Sequence, residues 1–516
     1  MNSLHRPFLR FIATLTLVVL FYSITLTKGR AAGQAGLQQP QDFNVAVTCP
    51  DVKLQAINQI DFTKILALQK NGILGLPCDS GFASDGTDLT TNLQHGFDYY
   101  SWLTFLALNS PASGAAIGAG APDAPTVWET YKQLPDVMLP KGKPPVDWVE
   151  SSANPLVGVN NQIVPEGCPD PKGRMIIHMD MEETYNEPFK SGPLFDQNGN
   201  YALFVILLNE PMFEYINHRR LFNVEGQEAF DSEISFPNGT LKPDENKKGR
   251  VGAIMIKASW KLMKEGTDFG KNVTPKYHMI DGLLYRPKAP EICRPVKLGL
   301  VGFHVGHKTD TRQQWIWTTF EHHDNVPTES EEKNGIPSGT TFSFYNPGCK
   351  ASDCPVNQTP AGSWEPDVIG WSPFPENPKF RSQIVRTGRS PVFPDDDVGR
   401  LNKMFQAAPQ IKNTVWKNYD LITTQWPSGH CAVDAHPENL PDATCAPFPT
   451  FLANSTLETF SQPQQQTEMR GDPDAGVPLA TSSCISCHNN ATTQHRPASR
   501  SDFTYILEKA KSSKLN

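Results

Sequence analysis

The chain has 516 residues, of which 38% are hydrophobic and 10% aromatic. That is enough for a sizeable core and, by length, for about two to four domains. A net charge of −8, with no basic stripe and no run of like charges, argues against nucleic acid as a partner. Forty-five prolines and 37 glycines predict many loops joining short elements.

At the N-terminus, Arg6 and Arg10 precede an apolar run from Phe11 to Leu26, and the small residues Ala31, Ala32, Gly33 and Ala35 follow. A basic segment, an apolar stretch and a small-residue cleavage zone predict an export signal over residues 1–35. The run is short for a spanning helix, so membrane association is expected only through this segment, and only if it stays uncleaved.

Residues 36–460 read as an α+β body, open to division into two subdomains. Residues 37–60 are polar and extended, and Phe62 to Leu74 predicts a helix stopped by Gly75 and Pro77. Gly96 to Leu108 is apolar nearly all round, which predicts a buried helix. Thr126 to Leu139 carries Val127, Tyr131 and Leu134 at helical spacing and predicts an amphipathic one. From Met175 the period changes. Met175–Met179, Tyr201–Leu208, Ala253–Leu262, Tyr277–Tyr285, Lys297–Gly306 and Gln313–His322 read as strands, with a helix from Glu210 to Phe222 between two of them. In the clearest strand, Ile254, Ile256, Ala258, Trp260 and Leu262 alternate with Lys257, Ser259 and Lys261. That pattern predicts one dry and one wet face, as in antiparallel sheets. No helix alternates regularly with the strands, so a doubly wound parallel sheet is not expected. Asp395 to Ala407 predicts a helix, Tyr419 to Trp426 a last strand, and residues 461–480 a polar linker.

Near the end, Cys484-Ile485-Ser486-Cys487-His488 has the spacing of covalent haem c attachment. Two thiols about one helical turn apart reach the two vinyl groups on one porphyrin edge, and the adjacent imidazole ligates the iron. With 10 Cys and 13 His in the chain, chance produces the pentapeptide in roughly half a percent of such sequences. A thioredoxin-like dithiol lacks its strand–helix context, a zinc knuckle lacks a nearby fourth ligand, and a Cys484–Cys487 disulfide would close a strained loop. The remaining eight cysteines fit four disulfides in an oxidising compartment. Cys349–Cys354 and Cys431–Cys445 are the nearest pairs, and Cys49–Cys78 and Cys168–Cys293 would complete the set, although the sequence does not derive the connectivity.

Four phrases carry a resemblance: SWLTFLALN from Ser101, GLVGFH from Gly299, WIWTTFEHHDN from Trp315 and SCISCH from Ser483. Together they resemble an uncharacterised family of exported bacterial cytochrome-c-type proteins with a single C-terminal Cys-x-x-Cys-His motif. The resemblance runs from about residue 90 to the end and implies haem c and a redox assignment. It carries over Cys484 and Cys487 as thioether positions and His488 as proximal ligand, and it supplies no substrate.

Only 28 residues follow His488 in the 516-residue chain. A terminal helix from Ser501, with Phe503, Ile506, Leu507 and Ala510 on one stripe, covers one side of a porphyrin at most. Residues 481–516 are therefore expected as a short haem-binding helical segment docked on the body, a largely antiparallel sheet with packed helices. Candidates for the distal side are His304, in a cluster with His307, His322 and His323, and Met469. The expected function is an exported, periplasmic or secreted monohaem c-type protein. Electron transfer or a haem-dependent oxidoreductase reaction is its expected role, with a redox protein or a small redox substrate as partner. The rivals are a haem-based sensor or binder of small ligands, and a haem-free scaffold with a Cys484–Cys487 disulfide.

Overall fold

The structure is a computed structural model. It describes residues 75–80, 91–115, 117–118, 124–148, 162–178, 193–240, 249–286, 292–350, 352–358, 381–387, 395–427, 447–449, 452–462 and 484–514. The export signal over 1–35, the helix expected over 62–74, nearly all of the linker, Met469, Cys49, Cys431 and Cys445 lie outside the described residues. All described residues belong to one unit, Phe43–Asn516. Among them no helix is long and apolar enough to cross a membrane.

A nine-stranded sheet dominates. Its main path runs β1 (Lys132–Gln133), β3 (Leu203–Leu208), β4 (Ile254–Leu262), β6 (Cys293–His307), β7 (Ile316–His322), β8 (Tyr419–Pro427) and β9 (Pro447–Phe448). β5 (Met279–Tyr285) pairs with the first half of β6, and β2 (Met175–His178) pairs with β5. Every pairing is antiparallel except β2 with β5. The fold is thus α+β with a largely antiparallel sheet. The 15-residue β6 is its spine, with one half bound to β5 and the other lying between β4 and β7. Cys168–Cys293 ties the start of β6 to the chain before β2, and Cys349–Cys354 closes a short loop. Cys78 is also disulfide-bonded.

Helix α1 (Thr91–Leu108) lies across one face of the sheet. Trp102 meets Phe320 edge-on at 5.0 Å, Phe105 stacks on Phe320 at 4.1 Å, and the Ser101 hydroxyl bonds Thr318 at 2.7 Å. The strand residues that alternate towards α1 include Ile256, Ala258, Trp260, Phe303, Val305, Ile316 and Phe320, all in one core cluster. Helix α2 (Glu210–His218) starts where the Asn209 side chain accepts from the Met212 amide, and a third helix, α3 (Val224–Ala229), follows a short turn. Helices α4 (Glu329–Asn334) and α5 (Asp395–Ala407) follow, and α5 seats Phe405 flat on Trp102 at 4.9 Å.

Three expectations are corrected. Thr126–Leu139 is not one helix but two 3-10 turns, Trp128–Thr130 and Leu134–Asp136, with β1 between them. Pro135 has no amide to continue a helix, and Gln133 stays extended to pair with Leu207. The second face of β4 is not wet: Ser259 and Lys261 are buried, the lysine bonded to Asp268 at 3.2 Å. Segments distant in sequence cover that face. The terminal helix is a short 3-10 helix, Tyr505–Lys509, beginning only after Asp502 and Phe503 have taken left-handed backbone at φ 52° and 63°. Its expected apolar stripe, Phe503, Ile506, Leu507 and Ala510, is nonetheless buried in a second core cluster with Trp315 and Trp317.

Candidate functional site

The terminal segment lies on the face of the sheet opposite α1. Residues Cys484–His488 form a single helical turn, α6. Ile485 is buried in the second core cluster, and its amide donates to Gln425 Oε1 of β8 at 2.9 Å. The turn is therefore seated by its second residue, which leaves the cysteines and His488 half-buried around it.

His488 is held from three sides. Its Nδ1 lies 2.8 Å from the Phe503 carbonyl oxygen. A carbonyl only accepts, so Nδ1 carries the proton and Nε2 keeps its lone pair. The Trp317 ring lies 4.3 Å away at 44°, and Tyr505 meets the imidazole edge-on at 5.3 Å. The Tyr505 hydroxyl donates to the Cys487 carbonyl at 2.8 Å, tying the start of the 3-10 helix back onto the Cys-x-x-Cys-His turn. Burial lowers the imidazole to about 4, against the opposing pulls of the Phe503 carbonyl and Glu458. The ring is neutral at physiological pH.

Cys484 and Cys487 are both thiols, with no disulfide between them. Burial pushes the Cys484 thiol well up, and Glu458 and Cys487 push it further. A redox dithiol needs a lowered thiol, so this pair lacks the electrostatics of one. Among the described residues no three or more His, Cys, Asp or Glu side chains gather as a metal cage.

The strand face opposite this turn is charged. His304 of β6 sits in register with Lys257 of β4 and Thr319 of β7. Its Nε2 lies 2.9 and 3.0 Å from the two carboxylate oxygens of Glu458. Burial acts to raise Glu458, but the His304 charge, its hydrogen bonds and Lys257 outweigh it and the group is lowered. Thr319, in register with His304, lies two residues from Trp317 on the same strand face, and Trp317 packs on His488. Glycine makes the approach of Glu458 feasible: a Cβ on Gly302 would sit 2.1 Å from Thr456 Oγ1, in the segment that delivers Glu458. Asn454 and Ser455 of that segment bond Thr319 and Glu321 on the same strand face.

Of the residues expected from sequence, Cys484, Cys487 and His488 stand together and His304 faces their surroundings. His307 does not join them. It is buried on the α1 side, 2.5 Å from the Tyr100 hydroxyl. His322 is also buried, stacked on Tyr277 at 3.9 Å, and His323 lies at the surface. Trp317 lay in the aromatic stretch that sequence singled out. Glu458, Lys257, Tyr505 and the Phe503 carbonyl had no sequence signal. No known protein family, curated protein or solved structure matches this chain.

Proposed function

We propose that residues 484–488 carry one covalently attached haem c and that the protein is an exported monohaem redox protein. The observation that carries this reading is the hydrogen bond from His488 Nδ1 to the Phe503 carbonyl at 2.8 Å on a Cys-x-x-Cys-His turn. A metal-ligating histidine characteristically donates its other ring proton to a carbonyl or carboxylate, which fixes its tautomer and raises its basicity. The donor set fits haem c: two thiols on one helical turn, a neutral imidazole beside them, and aromatic rings at Trp317 and Tyr505 to exclude water. In this reading Cys484 and Cys487 form the thioether tethers and His488 ligates through Nε2. The bound group would supply a one-electron iron couple.

The chain's own residues set the surroundings. Trp317 and Tyr505 hold the His488 ring, and Lys257 and Glu458 place one charge of each sign nearby. His304 is our candidate for the distal side: with Nε2 held by Glu458, its Nδ1 is the nitrogen left to ligate. The partner is a redox protein or a small redox substrate. Export fits the Cys168–Cys293 and Cys349–Cys354 disulfides, because such bonds persist in oxidising compartments.

A pyridine haemochrome spectrum of protein produced with a cytochrome c maturation system tests the reading. One covalent haem per chain is expected, and its absence would leave only a haem-free scaffold. Oxidised spectra of His304→Ala and Met469→Ala then test the distal assignment. A sulfur-to-iron near-infrared band lost only in Met469→Ala would refute His304. Tight binding of carbon monoxide or cyanide without turnover by redox partners would favour the sensor alternative.

A further inference from the structure

We propose that the buried pair Lys308–Asp502 is a positioning device for His488. It holds the Asp502–Phe503 turn so that the Phe503 carbonyl takes the Nδ1 proton and Nε2 is left as the ligating nitrogen. The inference rests on the haem reading above and deepens it, because it assigns control of the proximal ligand to a lysine 180 positions away in sequence.

The pair is almost completely removed from solvent: its side chains are 1% and 0% exposed. The Lys308 ammonium bonds the Asp502 carboxylate and also donates to Ser235 Oγ at 3.0 Å. The same carboxylate oxygen accepts the Phe236 amide at 2.6 Å. Lys308 is fixed in turn, since its amide donates to the Ala253 carbonyl and its own carbonyl accepts from Gly239. Asp502 is thus anchored to the end of β6 and to the chain before β4.

Directly after that anchor the backbone turns in the left-handed region at Asp502 and Phe503. Residues with side chains disfavour it, and two in succession persist only where the surroundings over-determine them. The element expected from sequence was a helix starting at Ser501, and the anchor prevents it. The consequence is the direction of one carbonyl: Phe503 O faces His488 rather than continuing a helical ladder. Stability does not explain the pair, because desolvating two charges offsets most of what they gain from each other. Burial pushes the Asp502 carboxyl up, against the pull of Lys308. A costly interaction that fixes a strained turn beside a candidate ligand points to a geometric role.

The test uses the double variant Lys308→Met/Asp502→Leu, which removes both charges at similar volume so that neither is left unpaired. Asp502→Asn is a milder variant that retains an acceptor for the Phe236 amide, in case the double variant does not fold. The comparison is Lys261→Met/Asp268→Leu, which deletes another buried pair. In the haem-free protein, nitrogen NMR of labelled histidine reports the His488 tautomer. Wild type is expected to be the Nδ1–H form throughout, the double variant a mixture, and Asp502→Asn a smaller change in the same direction. In the haem-loaded protein, a weaker Nδ1 hydrogen bond makes His488 a poorer donor to the oxidised iron. The oxidised-to-reduced ratio at a fixed ambient potential should then fall by on the order of tenfold. The comparison pair should move neither readout. An unchanged tautomer and ratio in a folded variant would overturn the inference, as would an equal change in the comparison pair. Failure to attach haem would instead overturn the functional reading, while the NMR arm still decides the positioning role.

Discussion

The two faces of the central sheet are built from the same strands and do different things. Towards α1, alternate residues are Ile256, Ala258, Phe303, Val305, Ile316 and Phe320, closed by the rings of Trp102 and Phe105. Towards the terminal segment, the intervening positions are Lys257, Gly302, His304, Trp317, Thr319 and Glu321. His304, Thr319 and Glu321 are bonded by Glu458, Asn454 and Ser455, and Trp317 is packed on His488 of the terminal segment. The difference teaches that a two-residue period sorts chemistry as well as hydrophobicity. One face holds the fold together, and the other, part-buried at Lys257 and His304, assembles titratable groups and both candidate ligands. Burial on the second face depends on distant chain, so substitutions there should disturb the site more than the fold.

The largest effect is expected on the apolar face. Trp102 is fully buried, its ring flat on Phe405 and its Nε1 donating to Asn402 Oδ1 at 2.9 Å. Trp102→Ala should cost about 3–5 kcal/mol in denaturant unfolding. A loss under about 1 kcal/mol would mean that this face does not carry the core. On the polar face, Gly302→Ala would push a methyl group against Thr456. It should cost about 1–3 kcal/mol by overpacking and separate Glu458 from His304. The expected signature is a changed chemical shift of the His304 ring in NMR, with the Trp102 environment unchanged by near-ultraviolet circular dichroism. An effect on both faces would erase the distinction between them.

The third effect is a slope in pH, small over any one pH unit. His307, on the α1 side, is lowered by burial to about 3, below its unfolded value near 6.5. Between those values the unfolded chain binds a proton that the native protein does not. This contribution is therefore whole above about pH 6.5 and is lost as pH falls, at about 1.4 kcal/mol per pH unit. His307→Gln keeps an acceptor for the Tyr100 hydroxyl and should remove that slope. Stability curves of the two proteins should converge on acidification, and parallel curves would show that His307 is not held neutral.

The strands were legible because their alternation is regular. β4, β6, β7 and β8 begin and end within a few residues of where sequence placed them, as do α1 and α5. The dry second face was not legible, since Lys257, Ser259 and Lys261 look solvated until the 454–461 segment and the loops around Asp268 are folded over them. Thr126–Leu139 had the helical spacing, but Pro135 and the β3 edge decided otherwise. At the site, the Cys-x-x-Cys-His turn was plain in the sequence, and His304 stood in a conspicuous histidine cluster. The group that orients His488 was not, because it is a backbone carbonyl. A main-chain oxygen has no residue type, and Phe503 O is aimed by Lys308 through Asp502.

The central claim, that the polar face hosts a haem tethered at the terminal turn, is most directly tested by mass spectrometry of the proteolytic peptide containing residues 484–488. The protein should first be matured in an exported, haem-supplied host. The account predicts a peptide carrying one haem, with both Cys484 and Cys487 protected from alkylation and the haem lost in Cys484→Ser/Cys487→Ser. Recovery of the unmodified peptide, alkylated at both cysteines or joined by a Cys484–Cys487 disulfide, would contradict it.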